Sequence, residues 1–152
     1  MAETITMPAE KHHIFGKLLS PAALVLSIGF IFALNVCGIV FGWYAAVPWL
    51  DSFHHAAGGG WIVLLSYYLV GRFPYLFVLP GTFAGRFIVL LAFTALSGTA
   101  WEIYEFVLFH LFGGEGALPP DFSHLDTILD LTFDLAGAAA VIVFVDRERR
   151  SS

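Results

Sequence analysis

Four long apolar segments, separated by short connections, dominate the sequence. No charged residue lies between Lys17 and Asp51, and the later segments carry only scattered acidic positions. A helix needs about 20 predominantly apolar residues to cross the hydrocarbon core of a membrane. We therefore predict transmembrane helices over residues 19–43, 51–71, 84–112 and 122–145. The predicted fold class is all-α, a polytopic membrane protein built as a four-helix transmembrane bundle.

Glycine and proline mark the connections between these segments. The sequence Gly113-Gly114-Glu115-Gly116, followed by Pro119-Pro120, is a strong helix breaker before the last segment. Two stretches of small residues, Gly58-Gly59-Gly60 and Gly137-Ala138-Ala139-Ala140, are typical of close helix packing in membranes. We divide the chain into an N-terminal cytoplasmic tail (1–18), a four-span transmembrane domain (19–146) and a basic C-terminal tail (147–152).

Composition and charge agree with a membrane location. The chain is 59% hydrophobic and 12% charged, whereas about a quarter of the residues in a soluble domain are charged. All seven basic residues fall on one side of the predicted four-span arrangement. They are Lys11, Lys17, Arg72, Arg86, Arg147, Arg149 and Arg150. The positive-inside rule makes that side cytoplasmic, so we expect a multi-pass protein of the inner (cytoplasmic) membrane with both termini inside. We expect no nucleic-acid partner.

Polar side chains recur at one depth on all four predicted helices. Counted at ~1.5 Å per residue from the nearest basic residue, this layer lies about 24–27 Å from the cytoplasmic anchors. Its members are Asn35, His55, Glu102 and Asp130. Because the hydrocarbon core is ~30 Å thick, the layer falls in the outer third of the membrane.

Helical spacing brings further polar residues to the same faces. Asp51 lies four residues before His55, and Glu105 lies three after Glu102. In the last segment, Asp126, Asp130 and Asp134 are four residues apart. Residues three or four apart are neighbours on a helix surface. The acidic stripes of three helices are therefore predicted to converge on a common interior, whereas Asn35 is expected to serve in helix packing.

The chemistry of this cluster indicates a bound cation. No Lys or Arg lies on its side of the membrane or deep within a predicted span, and several ionised carboxylates cannot neutralise one another. Carboxylates combined with imidazole are ligands for Zn, Mn or Fe. We predict a divalent metal ion as cofactor. The candidate ligands are Asp51, His54, His55, Glu102, Glu105, Asp126, Asp130 and Asp134. Two alternatives remain open: a proton-only site, and protonated carboxyls that hold the helices together.

Three motifs in chain order resemble a known family. They are Asp51-x-x-x-His55, Trp101-Glu102-x-x-Glu105 and Asp130-x-x-x-Asp134-x-x-Gly137-Ala138. This order is similar to that of the VanZ-like superfamily of small bacterial membrane proteins, and in particular its YjdF-like branch. Glu105 and Asp134 stand where VanZ-like proteins commonly have Gln and Asn. The resemblance implies a polytopic membrane fold and a place in the cell envelope.

Three functions are compatible with such a cluster. The first is a metal-dependent hydrolase acting on a lipid or lipid-linked envelope substrate, with Glu102 or Glu105 as the catalytic general base. The second is a cation- or proton-binding transporter or channel component, although no carboxylate lies between Asp134 and Asp146. The third is a non-catalytic membrane factor. The expected partners are membrane lipid and a lipid-linked substrate, and the sequence leaves room for a homo-oligomer.

Overall fold

The described residues of this protein form helices joined by short connections. The computed structural model describes residues 19–112 and 124–150, and no strand occurs within them. The predicted all-α class is confirmed. The predicted N-terminal tail, the Gly- and Pro-rich connection at 113–123 and residues 151–152 lie outside the described residues. The helices are α1 (Pro21–Val40), α2 (Trp43–Ala46), α3 (Leu50–Arg72), α4 (Phe83–Phe112) and α5 (His124–Arg150).

Three of the described helices are long and apolar enough to cross a membrane. They are α1, the Phe83–Val107 part of α4, and α5. Helix α3 has 23 residues and a length of ~34 Å, which also suffices for a span. It is less apolar than the others because it carries Asp51, two histidines and three consecutive glycines.

Helix α1 is shorter than the sequence predicted. The Ser20 side chain accepts a hydrogen bond from the Ala23 backbone N–H (3.1 Å), and Pro21 opens the first turn. The helix ends at Val40 instead of continuing to residue 43, because Gly42 adopts a left-handed backbone with φ 67°. The short helix α2 then redirects the chain toward α3.

Helix α5 is longer at its C-terminal end than predicted. It continues through Arg150 rather than ending at residue 145, so residues 147–150, expected in the basic tail, are helical. Arg150 Nε donates to Asp146 Oδ2 at 2.7 Å, one turn earlier on the same helix. This pair, spaced four residues apart, stabilises the last turn.

Helix α3 packs against each of the other three long helices. Its contact with α5 brings the two backbones together: a Cβ atom on Gly59 would overlap the Asp134 carbonyl, and one on Gly137 would overlap the Ala56 carbonyl. The predicted close packing of small residues is confirmed at Gly59 and Gly137. Below this contact, the buried core consists of Val63, Tyr67, Leu90, Ala138, Ile142 and Val145.

A network of arginines closes one end of the helices. Arg86 of α4 donates from Nη2 to Asp146 Oδ1 of α5 (2.6 Å) and from Nη1 to the Gly81 carbonyl (2.5 Å). The Arg149 guanidinium lies 4.9 Å from the ring centroid of Tyr67 on α3. The start of α4 and the ends of α3 and α5 therefore meet here, which we call the arginine end. It fixes the register that brings the acidic residues together at the opposite end.

Candidate metal centre

His55 is at the centre of the acidic cluster. It lies one turn inside α3 and is 7% exposed. Its Nε2 atom lies 3.7 Å from Asp130 Oδ1, 3.9 Å from Asp51 Oδ1 and 3.9 Å from Glu102 Oε1. Carboxylates from α3, α4 and α5 thus converge on one imidazole nitrogen, as the depth and spacing of these residues predicted.

The other ring nitrogen of His55 faces a fourth carboxylate. His55 Nδ1 lies 3.4 Å from Asp134 Oδ1. A carboxylate beside Nδ1 favours the tautomer in which the ring proton is on Nδ1. Nε2 then keeps its lone pair. Histidines that bind metals are commonly oriented in this way. Asp134 is therefore placed to orient His55 rather than to join the three carboxylates at Nε2.

The ligand atoms fall into two groups that share His55. Asp51, His55 and Asp130 form the first group, and His55, Glu102 and Glu105 the second; within each, one ligand atom per residue lies within 4.8 Å of the others. The distances from Nε2 exceed those of hydrogen bonds, which end near ~3.2 Å. They are shorter than ~4.0–4.3 Å, the sum of two bonds to one zinc ion. The distances from Nε2 are therefore compatible with ligands of one small cation.

No arginine or lysine of the described residues serves as a counter-ion to these buried carboxylates. Asp130 and Asp134 are 5% and 6% exposed. Glu102 Oε1 and Asp134 Oδ2 are buried and accept no hydrogen bond within the part of the chain that the structure describes. All five arginines of that part belong to the opposite end of the helices, and it contains no lysine.

Besides Asp134, two further predicted ligands lie outside these groups. Asp126, one turn before Asp130, belongs to neither. His54 turns away from the cluster, and its Nδ1 lies 3.0 Å from the Tyr44 hydroxyl. The same hydroxyl accepts a hydrogen bond from Asn35 Nδ2 (2.9 Å). These side chains link α1, α2 and α3, which agrees with the packing role expected of Asn35. Whether Asp126 or His54 contributes to a site stays a prediction.

Sequence reasoning missed two residues that shape the site. Burial raises the pKa of the Tyr44 hydroxyl above its ordinary value, and this hydroxyl lies within hydrogen-bond distance of His54 Nδ1. On α4, a Cβ atom on Gly98 would overlap Asp134 Oδ2, so glycine makes room for that carboxylate. Gly98 lies four residues before Glu102 and therefore shares its helix face. This spacing is the sequence signal that could have identified Gly98 as part of the site.

A cavity of about 530 Å³ lies beside the cluster, between α1, α3 and α4. Asp51, His55, Glu105 and Asp134 contribute to one end of it, and mainly apolar side chains line the rest. This volume falls within the ~300–1,000 Å³ that ligand sites occupy. The cluster is therefore next to a space large enough for an organic ligand.

The fold and the site define a helical membrane protein whose apolar helices enclose a carboxylate–histidine cluster. The chain belongs to a family described as "Predicted membrane protein (DUF2238)", whose model matches residues 6–151. No curated protein and no solved structure matches the chain. The family supports the membrane location. The more specific resemblance to VanZ-like proteins stays a prediction.

Proposed function

We propose that this membrane protein binds a divalent transition metal ion, with zinc, manganese or iron favoured. Its ligands come from the two groups that share His55, and Asp134 orients the imidazole. One observation carries the proposal: His55 Nε2 faces three carboxylate oxygens at 3.7–3.9 Å. These distances suit ligands of a common ion better than hydrogen bonds.

The charge balance supports a metal over a proton-only site. A carboxylate within a membrane costs at least ~2.5–3.5 kcal/mol unless it is paired. A protonated His55 would balance only one of the surrounding carboxylates, whereas a divalent ion balances two and also coordinates their oxygens. Glu102 Oε1 and Asp134 Oδ2 have no donor among the described residues. Buried oxygens that accept no hydrogen bond favour a nearby cation.

The proposed orientation has four spans, both termini in the cytoplasm and the cluster in the outer half of the inner membrane. The gathering of Arg86, Arg149 and Arg150 around Asp146 supports it, because basic residues concentrate on the cytoplasmic side. Helix α3 is the fourth span in this arrangement, and its polar face is turned toward the other helices.

The proposed activity is hydrolysis of a lipid or lipid-linked envelope substrate. A bound divalent metal supplies an activated water at neutral pH. Glu105 lines both the cluster and the adjoining cavity, so it is better placed than Glu102 to accept a proton from a reacting group. This makes Glu105 the preferred general base.

The core below the cluster disfavours transport of cations or protons. Between Asp134 and Asp146, α5 carries no ionisable side chain over ~18 Å. Val63, Leu90, Ile142 and Val145 fill this level and are fully or almost fully buried. A cation path through this packing would meet no carboxylate or imidazole among the described residues, and hydroxyls such as those of Tyr67 and Thr94 would be its polar groups. The geometry therefore supports a site open to one side of the membrane, as a hydrolase or a non-catalytic factor would have.

Elemental analysis of the detergent-purified protein tests the metal site. We expect about one or two transition-metal ions per chain in the wild type, as the two ligand groups allow, and loss of metal in His55→Ala and Asp130→Asn. Glu148→Gln removes a carboxylate at the arginine end of the same helix and should keep the metal. A folded wild type that stays metal-free after incubation with zinc, manganese and iron would overturn the proposal.

A further inference from the structure

The cavity beside the cluster is a cleft with defined ends. Helix α1 packs along α3 and makes at most a minor contact with α4 in the described residues, so α3 forms the floor of the cleft and the other two helices form its walls. At one end, Trp61 Nε1 donates to the Leu24 carbonyl at 3.0 Å. At the other end, Asn35, Tyr44 and His54 connect α1 to α3. Specific hydrogen bonds thus hold α1 at both ends of the cleft.

Two glycines keep the space between these connections open. Gly29 of α1 and Gly58 of α3 both line the cleft, and a Cβ atom built on either would meet no other atom within 4 Å. The adjacent Gly59 is different, because its position is tightly packed against α5. The helix α3 therefore uses neighbouring glycines for two purposes, contact with α5 and space beside α1.

The length of the cleft matches one membrane leaflet. Its lining on α1 runs from Val25 to Asn35, a distance of ~15 Å along the helix. This is half of the ~30 Å hydrocarbon core. The lining along this length comes from apolar side chains such as Ile28, Ile31 and Ile62. A single acyl chain has the length and the chemistry for such a space.

The polar end of the cleft is acidic. Asp51 and Glu105 line it, and the Asp51 side chain is 39% exposed. The arginines of the described residues are all at the opposite end. A bound divalent ion would offset the charge of only two of the neighbouring carboxylates, so this end would stay negatively charged. This end therefore complements a cationic, hydrogen-bond-donating group and repels an anionic one.

We infer that the cleft binds one acyl chain of an aminophospholipid from the leaflet on the cluster side, with the lipid's ammonium group beside the second carboxylate oxygen of the partly exposed Asp51, since its Oδ1 faces His55. The inference deepens the proposed function by naming the substrate class, and it rests on that function for the membrane placement and the chemistry at the cluster. The acyl chain lies along Ile28 and reaches toward Trp61.

Photolabelling in vesicles tests this site. The protein is reconstituted in phosphatidylcholine vesicles with a trace of phosphatidylethanolamine that carries a diazirine near the methyl end of one acyl chain. Labelled positions are mapped by peptide mass spectrometry. We expect adducts at Ile28 in the cleft, in addition to the general labelling at Leu26 and Phe30, which are exposed positions on the same helix outside the cleft.

Cavity-filling variants provide the matched comparison. Gly29→Leu and Gly58→Leu should abolish labelling at Ile28 and leave that at Leu26 and Phe30 unchanged. Gly71→Leu is the control, because its Cβ position is equally open but lies outside the cleft. Persistent labelling at Ile28 in both filled variants would overturn the inference.

The head group gives a second, independent readout. Labelling of Ile28 by the phosphatidylethanolamine probe should exceed that by the matching phosphatidylglycerol probe by about tenfold, as expected for a charge-assisted hydrogen bond. Equal labelling by the two probes would refute the proposed head-group contact. Metal analysis of the same samples separates the two proposals. Metal without cleft labelling would overturn the lipid site alone, whereas cleft labelling of a metal-free protein would overturn the metal site alone.

Discussion

Replacing Asp134 by asparagine tests whether this carboxylate orients His55 or binds the metal directly. Asp134 Oδ1 lies 3.4 Å from His55 Nδ1, whereas Asp51, Glu102 and Asp130 face the opposite ring nitrogen. An asparagine has nearly the same shape, and its amide oxygen can still accept from Nδ1–H. The substitution therefore keeps the ring orientation and removes the negative charge behind it.

The expected effect of Asp134→Asn is intermediate. Loss of an outer partner of a metal-binding histidine weakens metal affinity by about 10–100-fold, or ~1.4–2.7 kcal/mol. Asp130→Asn removes the negative charge of a carboxylate that faces His55 Nε2 itself at 3.7 Å. It should therefore weaken binding beyond this range. The order of affinities expected is wild type, then Asp134→Asn, then Asp130→Asn.

Competition titration against a fluorescent zinc chelator in detergent measures these affinities. Glu148→Gln serves as the control for loss of one acidic residue from α5. Wild-type affinity in Asp134→Asn would show that the carboxylate does not tune His55. Affinity as low as that of Asp130→Asn would show that Asp134 binds the metal directly. Either result would refute the assigned orienting role.

Three other predictions address the fold and its placement in the membrane. Gly137→Ala should lower the free energy of unfolding by about 1–3 kcal/mol or more, because the added methyl group overlaps backbone on α3; thermal denaturation in detergent measures it, and Gly71→Ala should change little. Arg86→Gln should cost about 3 kcal/mol in the same assay, because Asp146 stays buried with one of its two partners lost; an unchanged midpoint would contradict this. Glu115→Cys, in a chain without its native cysteine, should react with an impermeant maleimide applied to intact cells. Reaction only after lysis would invert the proposed topology.

The sequence predicted which residues meet because helical rise is nearly constant. Counting from the basic residues placed His55, Glu102 and Asp130 at one depth, and their side chains do converge. Depth does not determine which side of a helix faces inward. His54 and His55 are adjacent and point ~100° apart, so only one of them can face the cluster. The spacing of His55 from Asp51 already favoured the residue that does so.

Close contacts between helices were harder to predict. Gly58, Gly59 and Gly60 look alike in sequence, but Gly59 contacts the α5 backbone and Gly58 faces the open cleft. The rotation of α3 and its crossing point with α5 decide which glycine contacts α5 and which faces the cleft. Composition carries no information about this rotation or crossing point. Tyr44 was missed for the same reason, since its contact with His54 depends on how the short helix α2 folds back.

Helix α3 explains why hydropathy identifies three candidate spans whereas the proposed arrangement has four. Hydropathy identifies helices by their preference for lipid, and α3 carries too many polar residues and glycines to qualify. Between residues 50 and 70 of this helix, only Phe53 is exposed, whereas α1 exposes Val25, Leu26 and Phe30 to its surroundings. A helix surrounded by other helices needs little apolar surface of its own, because its neighbours contact the lipid instead. The low hydropathy of α3 is therefore what the proposed four-span arrangement requires of the helix that carries His55.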